Sequence, residues 1–558
     1  MTENKPQIDN QVSIKLESSV PADGTATVSP NEIKEKSPGE VTLNAEEKAE
    51  VERLKKAKFL GEAPLYSTMW QLIYPDLCGK LVSACYTLCD AMFIGNMAGD
   101  TAAERAVSLA AVSFAMPFEQ AFIAGFALFG SIGFGSLYSR FLGEANTKMA
   151  RRTLGNCYLL AVVIGIFCPL VLLPLAKYLI QFFGASDEAG TLQPATNYLS
   201  VLLCFDIFQN GMFVGNNMTR AEGASKYSAL MMIIGAVINC CLDPLFISTF
   251  RLSLTGAALA SVCGNFVVSI VGIYYFLSGR SVVTFDKACW KPSKKVLGVS
   301  LNIGSSALIS SFCGAIVSII SNRLILYFAP GDPNSVETTE VIAVSGALAK
   351  FSFFVFLPML SMSHGILPIV SFCRGSKNYK RFNQAVKACF YVSVLMGLLL
   401  CILGYILAPY VALCFSSSPS FVSTFTFAMR HMTSAIPVNS VITAVMPALQ
   451  ACGHGGAATL LMFGRQCLFI LVAEVIICFS QKTFWGCFMA YPIADLFTAF
   501  LSLLLYLYYY KDFHGIAQVK KASSKDETIV HVEKSTQLPP QPTIDREESI
   551  PNSPLANN

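Results

Sequence analysis

Charged side chains are scarce in this chain. Asp, Glu, Lys and Arg supply 14% of the 558 residues, about half the share in an ordinary soluble domain, and those present crowd into the two ends and a few short loops. So little charge, with 53% hydrophobic residues and a mean hydropathy of +0.53, excludes both a soluble globular domain and a chain disordered throughout. Histidine is scarcer still, at 5 residues. No HExxH, paired-aspartate or Ser/His pattern accompanies them, so no enzymatic centre and no cofactor are expected. CxxC pairs are missing too. The 19 cysteines mostly stand singly in apolar stretches, or side by side as Cys240 and Cys241, and read as small core residues rather than metal ligands or disulfide partners. No basic patch with interleaved aromatics occurs, so the net charge of +4 gives no reason to expect nucleic acid as a partner. The first residues lack the basic and apolar regions of a cleaved signal peptide, and none is expected.

What the chain has in abundance is apolar sequence long enough to cross a bilayer. The hydrocarbon core is ~30 Å thick and takes ~20 helical residues to span. Only helices and closed barrels hide their backbone groups there, and these runs lack the alternation of barrel strands. The runs predict twelve helices, over 70–97, 108–139, 153–183, 193–218, 226–249 and 255–278, then 297–329, 340–373, 384–415, 423–450, 457–479 and 483–511. They are numbered helix 1 to helix 12 below. The expected fold class is an all-α polytopic membrane protein. Residues 1–62 and 512–558, rich in Ser, Glu, Lys, Pro and Thr, are expected to be disordered tails. Residues 281–296 are expected to link two lobes, 63–280 and 297–511. Basic residues in short loops stay on the cytoplasmic side. Arg140, Arg151, Arg152, Lys294, Lys295, Arg374 and Lys380 fall in one alternate set of loops, whereas the other set holds only Arg105, Lys177, Arg251 and Lys482. Both termini are therefore expected in the cytoplasm, with the plasma membrane or an organellar membrane as host.

The two lobes read as copies of one another. SRFLGEANTKMARRTLGNC from Ser139 aligns with SFCRGSKNYKRFNQAVKAC from Ser371, pairing Gly143 with Gly375 and Asn146 with Asn378 at an offset of 232 residues. RAEGAS around Gly223 meets QACGHG around Gly453, and LTGAAL at Gly256 meets FWGCFM at Gly486. Two six-helix copies make parallel repeats about an axis along the membrane normal, with substrate crossing between them. That is the plan of a transporter.

An ionisable group at mid-membrane costs roughly 2.5–3.5 kcal/mol, so each one retained there is a functional candidate. The first lobe holds Asp90, Glu119, Asp206 and Asp243. Helices 7 and 8 are expected to hold no acid, with Asp332, Glu337 and Glu340 in the loop between them. On helix 5, INCCLDPLFI sets Asn239 and Asp243 four residues apart and so on one face. Pro244 deprives the Cys240 carbonyl of its partner and should kink the helix. A carboxylate, an amide oxygen and a freed carbonyl suit Na⁺, and a desolvated Asp equally suits a proton; a kinked helix with a polar cap would leave the same trace. The second-lobe counterpart of Asp243 is Ala473 or Glu474, depending on a one-residue gap. Asp76 and Lys80 read as a helix ion pair. Lys350 in helix 8 needs a carboxylate, with Glu119 or Asp206 as candidates across the cavity. Arg465, Glu474 and Asp495 are grouped as a further network. The 41 Phe, 20 Tyr and 18 Met provide an apolar, aromatic lining suited to organic cations.

CDAMFIGNMAG in helix 1 with Pro75 ahead of it, then LAAVSFAMPF, SRFLGEAN, RAEG, and INCCLDPLFI followed by TGAALAS, come in an order and spacing that resemble the multidrug and toxic compound extrusion (MATE) transporters over about residues 70–510. The resemblance implies a V-shaped bundle of twelve transmembrane helices in two pseudo-symmetric six-helix halves. These halves rock to open a cavity to either side and export amphipathic or cationic organic compounds in exchange for H⁺ or Na⁺. It implies a cation-coupling site at Asp90, Asn239 and Asp243, which become the metal ligands if the ion is Na⁺. The family's helix-4 asparagine is not matched at the ungapped position, Phe213, so Asn210, about one turn away, is taken in its place. Helix 7 has no glutamate, which favours the first-lobe site. A small organic substrate and the lipid bilayer are the expected partners of a monomeric protein. The alternative on the same scaffold is a flippase for a lipid-linked or anionic substrate, to which Lys350 points.

Overall fold

The computed structural model describes residues 45–99, 101–182, 185, 187, 190–328, 336–415 and 418–516. Two units separate after Lys48. Of the first, only residues 45–48 are described, as the start of a helix. Everything below concerns the second, Ala49–Asn558.

The long apolar runs are mainly helical; the one expected over 153–183 ends at Leu172 and is followed by a separate short helix, Ala176–Phe182. Ten of them qualify as single membrane spans by length and composition: helix 1 (Leu65–Met97), helix 2 (102–143), helix 3 (Thr147–Leu172), helix 5 (Ser225–Thr249), helix 6 (Ser253–Leu277), helix 7 (Lys294–Phe328), helix 8 (Val336–Gly375), helix 9 (Tyr379–Phe415), helix 11 (Gly455–Gln481) and helix 12 (Gly486–Tyr508). Helices 4 and 10 complete the twelve, and both are broken where a continuous helix was expected. Helix 4 bends by 57° between Leu192–Cys204 and Asp206–Ala221. Helix 10 is interrupted between Pro419–Ser434 and Ser440–Cys452. The two breaks fall at matching places in the duplication, around Phe205 and Ala435. Exposed Leu395, Ile402 and Ile406 on helix 9 mark a face suited to lipid.

Local chemistry fixes the helix ends. Thr101 and Glu104 form a reciprocal capping box at the start of helix 2. Asn146 accepts from the Met149 N–H at 3.1 Å to open helix 3, and its repeat partner Asn378 accepts from the Arg381 N–H at 3.0 Å to open helix 9. The residues just before these caps, Ala145 and Lys377, both take left-handed φ values, 56° and 58°. The two turns are the same structure built twice.

The lobes pack on each other through helix 2 against helices 7 and 8, and helix 1 against helix 8. One close approach is reciprocal. A Cβ on Gly143 would meet the Phe372 carbonyl, and one on Gly375 would meet the Arg140 carbonyl. Ser136 and Ser371 share a hydrogen bond of 3.1 Å in the same layer. A single apolar core, including Phe134, Leu137, Ile369 and Phe372, joins the lobes at this end.

Parts of both segments expected as tails belong to helices. Ala45–Gly61 is a helix, not part of a disordered segment reaching residue 62. Lys56 donates to Tyr275 at 2.8 Å and pairs with Glu222 at 3.5 Å in the first lobe, while Arg381 of the second lobe donates to the carbonyls of Leu60 and Ala63 at 2.9 and 2.7 Å. Leu60 is fully buried. Polar composition hid this helix because its attachment rests on a few hydrogen bonds and one apolar anchor. At the other end, residues 512–516 belong to the fold. Asp512, in the short helix Tyr510–Phe513, accepts from Arg374 at 2.7 Å and from His454 at 2.9 Å. Residues 1–44 and 517–558 lie outside the described residues.

Candidate functional site

Three of the four first-lobe acids, Asp90, Glu119 and Asp243, come together where helices 1, 2 and 5 meet. Helix 5 packs closely along helix 1. It presents Asn239 and Asp243, both buried, one turn apart on one face. In the amide orientation that satisfies both neighbours, Asn239 donates to Asp243 Oδ2 at 3.1 Å and accepts from the Ser261 N–H at 3.1 Å and hydroxyl at 2.9 Å. Asp90 of helix 1 lies within electrostatic reach of Asp243, as does Glu119 of Asp90. Tyr86 and Tyr198 border the same group of acids. Among the described residues, no Lys, Arg or His forms an ion pair with Asp90, Glu119, Asp206 or Asp243. Asp90 Oδ1 and Asp243 Oδ1 are buried and find no protein donor.

Proline acts here by widening the helix. Helix 5 stays α-helical through Pro244 and passes into a π-helical turn at Leu245–Thr249. Helix 2 does the same after Pro117, with Glu119 opening the π turn Glu119–Ala124. Such turns insert one residue and re-aim the side chains beside them.

Helix 4 is placed differently from its expected role. Asn210 donates to Asp206 Oδ2 at 2.9 Å and to the Asp206 carbonyl at 3.0 Å. The pair forms its own polar knot just below the helix-4 break, and no described hydrogen bond ties Asn210 to Asp90, Asn239 or Asp243. Lys350 sits on helix 8, but its side chain lies outside what is described, so its pairing with Glu119 or Asp206 has no geometry here. Glu337 and Glu340 are on the first turns of helix 8 rather than in a loop. In the second lobe Arg465 donates to Asp495 at 2.9 Å, and Asn439, beside the helix-10 break, donates to the other Asp495 oxygen at 2.9 Å. Glu474 is not in that network. Both its oxygens accept from the Ser321 hydroxyl, at 2.8 and 2.9 Å.

A second cluster was legible in the sequence only in part. Asp76 and Lys80 do form an ion pair within helix 1, but the pair reaches across the lobe interface. Arg220 of helix 4 donates to Asp76 Oδ1 at 2.8 Å, and His364 Nδ1 of helix 8 receives Arg220 at 2.7 Å and Lys80 at 3.0 Å. With two cations donating to Nδ1, the ring acts there as an acceptor and carries its proton on Nε2. Asp76, Lys80 and Arg220 are 1%, 9% and 7% exposed, so this is a buried inter-lobe bridge and not a surface pair. A basic residue at a helix end and a lone histidine gave no sequence signal that they would meet.

Two parallel six-helix repeats, with matching broken helices in each and ionisable groups enclosed among them, define a multi-pass membrane transporter. A family model, MatE, matches residues 77–245 and 334–476, and the chain belongs to that family, the multidrug and toxic compound extrusion transporters. It is 24% identical over 448 residues to the multidrug export protein MepA of Staphylococcus aureus strain N315, covering 80% of this chain and 94% of that one. It is 23% identical over 448 residues to MepA of Staphylococcus haemolyticus, with the same coverage. Among solved structures, a MATE protein in complex with MaL6 superposes with a TM-score of 0.74 at 22% identity, over 82% of this chain and 99% of that one. An outward-facing MATE transporter matches with the same score and identity over 82% and 98%. A transporter from Pyrococcus furiosus, described by the reverse polarity of its binding pocket, matches at 0.74 and 22% over 83% and 99%.

Proposed function

We propose that the protein is a secondary antiporter that exports amphipathic or cationic organic compounds in exchange for H⁺ or Na⁺ by alternating access. The observation that carries this reading is the enclosed first-lobe group, in which Asp243 is held by Asn239 beside Asp90 and Glu119 with no described cation to balance it. Uncompensated carboxylates in a low-dielectric interior are costly, so the group is best satisfied when a proton or Na⁺ is bound. For Na⁺ the ligands would be Asp90, Asn239 and Asp243. Among the described residues no three His, Cys, Asp or Glu side chains form a metal-chelating cluster, so amide and carbonyl oxygens would have to complete the shell. The lobes pack tightly at the end that holds Leu60 and Phe513, which the positive-inside bias assigns to the cytoplasm. A monomer suffices, because each chain supplies both lobes.

An ion drives such a cycle only through a difference in its affinity for the two facings. Binding at Asp90 and Asp243 neutralises the group and lets helix 1 repack on helix 5. Substrate efflux from proteoliposomes under separately imposed pH and Na⁺ gradients tests the reading. One gradient is expected to drive efflux and Asp243→Asn to abolish the drive; undiminished gradient-driven efflux in that variant would refute it.

A further inference from the structure

We propose that Glu474 in helix 11 is a second proton-carrying site, the second lobe's equivalent of Asp243. The inference rests on the reading that Asp243 carries the coupling ion. It comes from the register of the duplication, which the π turns set.

At the turn before helices 5 and 11, Gly223 and Gly453 match at an offset of 230, with left-handed φ values of 86° and 83°. Helix 11 then contains a π turn at Gly464–Leu468, ahead of Glu474. That turn inserts one residue into the second copy and raises the offset to 231. Helix 5 has its own π turn at Leu245–Thr249, after Asp243, which restores 230 by Gly256 and Gly486. Between the two turns the partner of Asp243 is Glu474, not Ala473. Packing against helices 6 and 12 agrees independently. A Cβ on Gly256 would approach the Ile247 nitrogen at 2.9 Å, and one on Gly486 would approach the Cys478 nitrogen at 2.7 Å, so Ile247 and Cys478 are also matched at 231.

The surroundings of Glu474 suit a proton. The residue is fully buried. Its only described hydrogen-bond donor is the Ser321 hydroxyl of helix 7. Helix 12 faces it with Cys487 and Tyr491, and Cys478 is its neighbour on its own helix. Arg465, earlier on the same helix, is engaged by Asp495. With sulfur and phenol around it and a single hydroxyl as oxygen partner, the carboxyl lacks the oxygen shell that a hard cation demands. It is complete when it carries a proton, which the hydroxyl can then satisfy. Each lobe thus encloses one such carboxyl on the same face of the same repeat helix.

Proton release by the full-length protein, on a jump from acid to alkaline pH, decides the matter when read beside the infrared C=O band of protonated carboxyls. Glu474→Gln and Asp243→Asn are each expected to release one proton fewer than the wild type and to lose separate components of the band, additively in the double variant. Glu474→Asp is expected to restore the count. A wild-type count in folded Glu474→Gln overturns the proposal. If Asp243→Asn keeps the wild-type count while Glu474→Gln loses one proton, proton coupling at helix 5 falls, Na⁺ is left as the ion there, and the register-based assignment of a proton to Glu474 stands. Should Glu474→Gln not fold, Ser321→Ala carries the test. The step assigned to Glu474 should move by about one pH unit with the Asp243 step fixed, and an unmoved step overturns the proposal.

Discussion

Arg220 and His364 meet at 2.7 Å, joining helix 4 of one lobe to helix 8 of the other. Between them and Lys80 lies Asp76, among the described residues the one carboxylate that pairs with both cations. On the proposed alternating-access reading, the bridge belongs to the facing in which the lobes are closed at this end.

Arg220→Ala should therefore favour the other facing. Removing one partner of a buried ion pair costs about 3–5 kcal/mol. Lys80 still holds Asp76, so a loss near the lower end, about 3 kcal/mol, is expected in the closed arrangement. Distances between spin labels at positions 148 and 380 should spread toward longer values; a distribution identical to the wild type would remove the bridge from the gating account.

Gly375→Val drives a side chain into the Arg140 carbonyl at a close inter-lobe contact. Overpacking of this kind costs about 1–3 kcal/mol and should slow efflux roughly tenfold by holding the lobes apart. Gly143→Val should behave alike, because the contact is reciprocal. Gly298, where an added Cβ would have nothing within 4 Å, is the control, and Gly298→Ala should transport at the wild-type rate.

Asn239→Ala removes the donor to Asp243. A hydrogen bond to a charged group contributes about 1.5–3 kcal/mol, so apparent affinity for the driving ion should fall roughly 10- to 100-fold. The midpoint of ion-driven efflux measures it. Ser261→Ala should cost less, since the Ser261 backbone N–H still holds the amide.

The C-terminal clasp gives a pH dependence. The hydrogen bond from His454, with Arg374 beside it, holds the Asp512 carboxyl at about 2, below the ~3.9 of a free aspartate. A depressed carboxyl stabilises the folded form fully above its free value, and that contribution disappears as pH falls through the folded one. The clasp should hold near neutrality and loosen between about pH 4 and pH 2, read as faster hydrogen exchange over 510–516. Asp512→Asn should exchange faster already at neutral pH.

Much of the architecture was legible in the amino-acid sequence. Apolar runs of spanning length gave the helices, and the paired motifs at Gly143 and Gly375 gave the duplication, down to the matched caps at Asn146 and Asn378. Asn239 and Asp243 were readable as a unit because a spacing of four has one meaning on a helix. The breaks in helices 4 and 10 were not read: Asp206 and Pro437 stand at them, but a lone polar residue or proline also occurs within continuous membrane helices. Nor was the N-terminal helix, whose polar face resembles a solvated tail.

Sequence by itself determined what local physics controls: which segments enter the membrane, how they repeat, and which acids are carried inside. Tertiary structure decided who meets whom. It took Asn210 to Asp206, brought Arg220 and His364 to Asp76, and resolved the one-residue ambiguity opposite Asp243. A π turn has almost no sequence signature, because it is chosen by packing between neighbouring helices and yet shifts the register of everything beyond it by one residue.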